Sequence, residues 1–457
     1  MRVRVKSPTI RKTPAVRPRT TQTAPPGGAE GLLKEHYASL LEEARERTLW
    51  LVETVSVEDL GRVHSPLLSP LVWDLGHIAA FEDLWLCQQA GGLEALRPDL
   101  SDVYDATLTP RADRGELPYL EHEEAVAFMV AVRERALEVL ARADLSSGGD
   151  RLHANGFVWD MLVQHEHQHN ETMLQTLSLA APGVFVPRAR PLPAPPPGLR
   201  GPDMVRVEGG PSVLGYDPEG FAYDNERPCH EVDVAAFEID RLPVANREYM
   251  TFVERGGYER REFWSDEGWA WRVKEGVERP LYWTADGEMR AFDRTAALDP
   301  YRPVTHVSWY EAEAYARSIG KRLPTEAEWE KAASWDEAEG VQRRHPWGDD
   351  PPGPRHANLD QKGFGPARVG AYPAGASPYG VLGMTGDAWE WTASDFTGYP
   401  GFAAFPYHEY SEIFFGPDYK VLKGGSWATR PSVARASFRN WDYPVRRQIF
   451  SGFRCAA

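Results

Sequence analysis

Gln164-His165-Glu166-His167-Gln168-His169-Asn170-Glu171 is the stretch on which the reading of this chain turns. From Phe157 to Leu179 no Gly or Pro interrupts it, and apolar residues recur at three- and four-residue spacing, which predicts one helix. A helix turns about 100° per residue, so His165 and His169 lie one turn apart, about 40° from each other on one face. Gln168 falls close to that face and His167 well away from it. Two imidazoles so spaced can grip one metal ion. A surface helix that happens to be rich in His is the plainer alternative. Three His within five residues, flanked by Met161, Leu162, Met173 and Leu177, favour the metal. His165-Glu166-x-x-His169 also spells HExxH, in which Glu166 would be the general base of a zinc hydrolase. That pattern is short, so residues elsewhere must decide.

At 457 residues the chain is too long for one ordinary core, and two domains are expected. Hydrophobic content of 42% supports globular folding, while 16 Trp, 40 Gly and 38 Pro point to a loop-rich part anchored by aromatic residues. A net charge of -16 argues against nucleic acid or an anionic membrane surface as partner, since either favours a basic face. Three scattered cysteines, Cys87, Cys229 and Cys455, make neither a disulfide framework nor a cysteine zinc site, and the expected location is cytoplasmic. No apolar run approaches transmembrane length. Residues 1–30 carry Lys and Arg among Pro and Thr and read as a solvated, disordered basic tail.

Residues 31–180 read as a helix bundle. An amphipathic helix runs from Gly31 to about Val57, a second from about Leu71 to Ala90 after Ser69-Pro70, a third from about Leu120 to Ala143, and the fourth carries the His cluster. Bundles place metal sites between facing helices. On the second helix His77 falls among Trp73, Phe81 and Leu84, either as a satisfied core histidine or as the third ligand that the pair awaits. Imidazole suits zinc, iron or copper, so the donor set leaves the metal open. Arg111 and Arg114, three apart in a loop, have the forked donors to clamp a carboxylate, but on the residues alone they read as solvated surface.

Residues 181–202, dense with Pro, read as a semi-rigid extended linker. In residues 203–457 the texture changes. Met204–Val207 and His230–Val234 alternate like strands, Asn246–Glu254 and Tyr310–Ile319 read as helices, and Thr325-x-x-Glu328 is a capping box opening another. From Trp335 onward the chain reads mostly as loop with short strands.

The second domain also carries Arg322-Leu323-Pro324-Thr325-Glu326-Ala327-Glu328-Trp329-Glu330, Gly383-Met384-x-Gly386, Trp389-Glu390-Trp391-Thr392, Gly424-Gly425-Ser426-Trp427 and Gly452-Phe453-Arg454-Cys455. These motifs resemble the formylglycine-generating, sulfatase-modifying-factor superfamily, which implies a C-type-lectin-like α+β fold. The cysteine pair of the formylglycine-generating enzymes is missing, since only Cys455 lies near the C-terminus. A DinB-like helical domain with His77 and His165-x-x-x-His169, fused ahead of such a domain, is similar to the sulfoxide synthases of ergothioneine biosynthesis, also called hercynine oxygenases. The resemblance implies a multi-domain protein, a DinB-like four-helix bundle followed by the lectin-like domain, with one Fe(II) held by His77, His165 and His169.

The same resemblance implies an oxidoreductase that joins the sulfur of γ-glutamylcysteine, or of cysteine, to the imidazole carbon of Nα-trimethylhistidine (hercynine) and oxidises that sulfur with O2. It places Gln168, Asn440, Trp441, Asp442 and Arg446 at the substrates, and the Arg111-x-x-Arg114 pair matches the subgroup that takes γ-glutamylcysteine. Its catalytic tyrosine lies in the loop after Trp391-Thr392 and is assigned to Tyr399, with Tyr407 and Tyr410 as nearby alternatives. Two rivals remain: the HExxH zinc hydrolase, and a non-enzymatic binding module in which the bundle is only a scaffold.

Overall fold

Leu41, Ala44, Leu51 and Val52 mark one side of the first helix, and that side is fully buried. The computed structural model describes residues 26–197, 203–216 and 220–457. In it α1 (Pro26–Val52), α3 (Leu71–Glu82), α4 (His122–Arg142) and α5 (Phe157–Leu179) pack as a bundle, with a one-turn helix, α2 (Val57–Gly61), between the first two. The first helix stops at Val52 rather than Val57, because Ser56 caps a new one by accepting from the amide of Asp59. The basic tail expected over 1–30 falls outside the described residues up to residue 25. Its last residues belong to α1, where a proline suits the first turn and Glu30 pairs with Lys34 one turn on.

Two glycines let the bundle close. A Cβ on Gly76 would lie 2.1 Å from the Tyr104 ring, so only glycine lets that ring press against α3. Gly156 starts α5 at φ +78° with the Tyr37 ring 1.9 Å from where a Cβ would sit.

The linker is not a free spacer. Residues 181–197 run without helix or strand, Arg190 donates its amide to the carbonyl of Lys362, and Leu192 packs against Ala367, Ala371 and Tyr372. Residues 198–202 of the expected linker lie outside the described residues. The second domain begins with β1 (Met204–Val207), β2 (Gly210–Leu214), β3 (His230–Val234) and β4 (Phe237–Asp240), in which β1 pairs with β4 and β2 with β3. Next come α6 (Asn246–Glu254), α7 (Asp266–Glu275), the hairpin β5 (Glu288–Ala291) and β6 (Arg294–Ala297), α8 (Trp309–Ser318) and α9 (Glu326–Ser334). Thr325 opens α9 with the expected capping box.

After the short pair β7 (Trp335–Asp336) and β8 (Val341–Gln342), the C-terminal region holds a more regular sheet than expected. β9 (Trp389–Phe396), β10 (Gly416–Lys423), β11 (Asn440–Asp442) and β12 (Ser451–Gly452) form four strands in the order β11-β10-β9-β12. Buried ion pairs tie it together: Lys423 with Glu330 at 2.8 Å, Arg439 with Glu326 at 2.7 Å and Arg454 with Glu390 at 2.6 Å. Such pairs add little net stability, but removing one partner costs about 3–5 kcal/mol because a charge is left buried and alone.

One apolar cluster runs through both domains, from Trp73 and Trp159 of the bundle to Trp391 and Phe450. Truncating any of these fully buried Trp residues costs about 3–5 kcal/mol. Across the boundary Phe157 packs on Phe221 and Phe405, and Trp50 on Phe364. The carboxylate of Glu171, on α5, accepts from Trp389 Nε1, Ser426 Oγ and Thr429 Oγ1 at 2.7–2.8 Å. The face of α5 that carries Gln164, Gln168 and Glu171 is therefore turned towards the second domain.

Candidate metal centre and active site

Three imidazoles meet where α3 and α5 cross. His77, His165 and His169 each offer one nitrogen, and the three atoms lie within 4.8 Å of one another. Ring centroids are 4.5–5.2 Å apart. On two of the three rings the nitrogen that faces away from the centre is pinned. His77 Nδ1 is 2.7 Å from the carbonyl of Tyr104, the residue that Gly76 lets in, and His169 Nδ1 is 3.2 Å from Asp74 Oδ1. A carbonyl or carboxylate in that position takes the N–H, which leaves the Nε2 lone pair pointing into the centre. Burial holds the pKa of His77 and His165 well below the ordinary value, so both are neutral.

These observations test whether a metal fits. His77 Nε2 and His165 Nε2 face each other at 3.3 Å, although the carbonyl of Tyr104 already claims the proton of His77 Nδ1. His165 Nδ1 is buried without a hydrogen-bond partner among the described residues. Neutral lone pairs converging in this way suit a divalent ion, and three nitrogens with no carboxylate leave positions open for small molecules. The residues fit an iron centre.

Glu166 is turned away from it. Its carboxylate accepts from Arg45 Nε at 2.9 Å and Thr48 Oγ1 at 2.7 Å, and pairs with Arg133, in a buried network completed by Glu82. A carboxylate so occupied on the far side of α5 cannot serve as a general base at the histidines, and the zinc-hydrolase alternative fails on that geometry. His167 is also buried away from the centre, 3.7 Å from Glu43.

The wall of the centre is aromatic. Phe81 stacks on His165 at 3.8 Å, and the loop between β9 and β10 brings Tyr407 to 6.1 Å from Phe81 and 5.0 Å from Trp85. Gln168 donates to the hydroxyl of Tyr223 at 3.1 Å, Tyr223 stacks on Tyr410 at 4.2 Å, and Tyr410 stands edge-on to Trp441 at 5.7 Å. Burial raises the pKa of Tyr407 and Tyr410 well above 10, so both hydroxyls keep their protons at neutral pH.

The tyrosines expected near the reaction pack in different places. Tyr399 lies in the interior of the second domain, its hydroxyl donating to Glu326 at 3.2 Å, Arg439 over its ring at 4.2 Å and His230 beside it. No contact joins it to the histidines. It stands close after β9 and packs into that sheet's core, whereas Tyr407, farther along the loop, crosses to the bundle.

The residues expected at the substrates divide. Asn440, Trp441 and Asp442 form the edge strand β11; Trp441 stacks on Phe396 at 4.2 Å, and Asp442 pairs with Arg446 at 3.4 Å. Burial raises the pKa of Asp442, against the opposing charges of Arg446 and, from the bundle, of Arg111. Arg111 is exposed, but Arg114 is not solvated as its loop position suggests. It lies 3.8 Å over the Trp73 ring, which itself stacks on His77, and donates to Thr109 O, Ser69 Oγ and Ala106 O. Three of its five N–H bonds are thereby taken.

Several site residues escaped the sequence reading: Asp74, Tyr104, Tyr223, Phe81 as a stacking partner, and Trp85. Asp74 alone carried a signal, an acid within the apolar run that leads to His77.

The DinB superfamily matches residues 40–173, and the sulfatase-modifying factor enzyme 1-like domain matches residues 190–457. The hercynine oxygenase of Mycolicibacterium thermoresistibile is 47% identical over 93% of this chain and 96% of its own length. That of Mycolicibacterium smegmatis is 46% identical over 93% of this chain and 99% of its own length. The formylglycine-generating enzyme of Thermomonospora curvata is 34% identical over 56% of this chain and 93% of its own. The chain belongs to the hercynine oxygenase family, whose two-part architecture of bundle and sulfatase-modifying-factor-like domain it shares along nearly its whole length.

Proposed function

We propose that this protein is an iron-dependent oxygenase of ergothioneine biosynthesis that joins γ-glutamylcysteine to Nα-trimethylhistidine as a sulfoxide. The observation that carries this is the convergence of His77, His165 and His169 at the domain boundary, where both domains supply the surrounding side chains. A bound iron supplies there the activation of O2 and the gathering of both substrates, and the remaining work falls to this chain's own groups. Holding two substrates side by side replaces a chance encounter by an oriented one.

Gln168 and Asn440 offer neutral hydrogen bonds to trimethylhistidine, and the ring of Trp441 borders its trimethylammonium group, a contact worth about 0.5–2 kcal/mol. Arg111, with the spare N–H bonds of Arg114, takes the glutamyl carboxylate, and Asp442 with Arg446 takes the cysteine portion. Tyr407, which keeps its proton at neutral pH, donates that proton to the oxygen that leaves as water. The substrates are small molecules. With a net charge of -16 the chain has no basic excess to hold nucleic acid. Among the described residues no helix is long and apolar enough to cross a membrane. Cys87 and Cys455 are buried and free, in keeping with a reducing cytoplasm.

The test is anaerobic Fe(II) loading followed by O2 uptake with trimethylhistidine plus either γ-glutamylcysteine or cysteine. Uptake coupled to sulfoxide is expected with γ-glutamylcysteine. Arg111→Ala should raise KM for γ-glutamylcysteine about tenfold or more, as loss of a charged hydrogen bond does, and leave KM for cysteine unchanged. Equal KM values for the two thiols in the wild type would reassign the sulfur donor.

A further inference from the structure

Directly after α3, residues Asp83–Ala90 run as a π-helix, the one such segment among the described residues. π-Helical turns are rare, and they gather at functional sites. This one begins between two rings, Phe81 in the last α-turn and Trp85 in the first π-turn, with centroids 6.2 Å apart. The Tyr407 ring lies in the angle between them, stacked on Trp85 at 5.0 Å and 30° and edge-on to Phe81 at 6.1 Å and 64°. The Phe81 ring also stacks on His165 at 3.8 Å and 14°. One run of rings thus connects His165, Phe81, Tyr407 and Trp85.

Tyr407 comes from the stretch between β9 and β10, which holds only two short 3₁₀ turns. No ladder of backbone bonds sets where its phenol points, so the rings it packs on must do so. Trp85 is 8% exposed, and its indole N–H is buried without an acceptor among the described residues. No hydrogen bond ties the indole, so Trp85 acts through the face of its ring.

We infer that Trp85 is a positioning residue: its indole holds the Tyr407 phenol where the hydroxyl can deliver its proton, and so decides what becomes of the bound thiol. This rests on the role given to Tyr407 above. In the productive outcome thiol, imidazole C–H and O2 yield sulfoxide and one water; the two hydrogens lost by sulfur and carbon leave in that water, and O2 takes up four electrons. In the unproductive outcome thiol and O2 yield a sulfinic acid, again with four electrons transferred, and the imidazole is untouched. A displaced hydroxyl favours the second outcome.

The experiment uses the full-length enzyme loaded anaerobically with Fe(II), with trimethylhistidine, γ-glutamylcysteine and O2 supplied. Sulfoxide and sulfinic acid are quantified by mass spectrometry beside iron affinity and thermal midpoint. Misplacing a catalytic group by 1 Å costs up to ~10²-fold, so Trp85→Leu is expected to lower the sulfoxide rate about tenfold and raise the sulfinic share, with iron affinity kept. Trp85→Phe keeps a smaller ring and should raise that share about twofold, and it carries the test alone if the leucine variant does not fold. A wild-type product ratio in the Trp85 variants, while Tyr407→Phe diverts the thiol, overturns the inference and leaves Tyr407 in its role. A wild-type ratio in Tyr407→Phe overturns the role of Tyr407 itself. Loss of iron affinity in Trp85→Leu would mean that Trp85 supports the histidines instead, and also overturns the inference.

Discussion

Tyr399 and Tyr407 lie eight residues apart in one loop, in different surroundings. The Tyr399 hydroxyl donates to a carboxylate already paired with Arg439, so Tyr399→Phe removes one hydrogen bond to a charged group, worth about 1.5–3 kcal/mol. The expected result is a lower thermal midpoint with unchanged iron affinity and unchanged product ratio at saturating substrate, read by calorimetry and product analysis. A changed product ratio would return the catalytic role to Tyr399. The histidines show the same dependence on what lies behind them. Asp74 and the carbonyl of Tyr104 select which nitrogen of His169 and of His77 is free to bind, and neither partner belongs to the motif that names the ligands.

At the scale of the element, α5 serves three purposes on three sides. One side presents His165 and His169 to α3, a second presents Gln164, Gln168 and Glu171 to the other domain, and a third buries Glu166 among Arg45, Thr48 and Arg133. The HExxH spelling puts the acid about 100° from the first histidine and about 60° from the second, so the helical turn alone would leave it near the metal; its bonds to Arg45, Thr48 and Arg133 hold it on another face. Glu166→Gln is therefore expected to cost about 3–5 kcal/mol of stability by leaving arginine charges under-compensated, while iron still binds with wild-type stoichiometry. Denaturant unfolding and iron titration check this. Loss of turnover in a variant of wild-type stability would revive the general-base reading.

Across the whole molecule, the two domains share one apolar cluster and meet on a buried carboxylate. Burial raises the pKa of Glu171, against the three hydrogen bonds that stabilise its ionised form. A carboxyl whose folded pKa is raised contributes stability that is full below its unfolded value, about 4.3, and is lost as pH rises through the folded value. The thermal midpoint of Glu171→Gln relative to wild type should therefore climb as pH rises from 4 through that raised value and then level off. Calorimetry across pH 4–8 reads the difference, and a difference independent of pH would contradict the assignment. Both domains should melt in a single transition, because neither covers its half of the shared core alone.

Much of this was legible in the residues. The period of the apolar positions placed α5 at its observed ends and α3 and α4 close to theirs, and the Thr325 capping box fell where α9 starts, because these signals are local to a few turns of chain. The spacing of His165 and His169 likewise determined that both share one helix face. Other features depend on segments far apart in the chain: the arrival of His77 opposite that pair, the burial of Arg114 over Trp73, the removal of Glu166 into an ion network, and the packing of Tyr399 against Glu326 while Tyr407 crosses to the bundle. Helical periodicity says which residues share a face, but not what that face will meet. Only the packed structure decides that, since the answer depends on which rings and charges the other domain can bury against it.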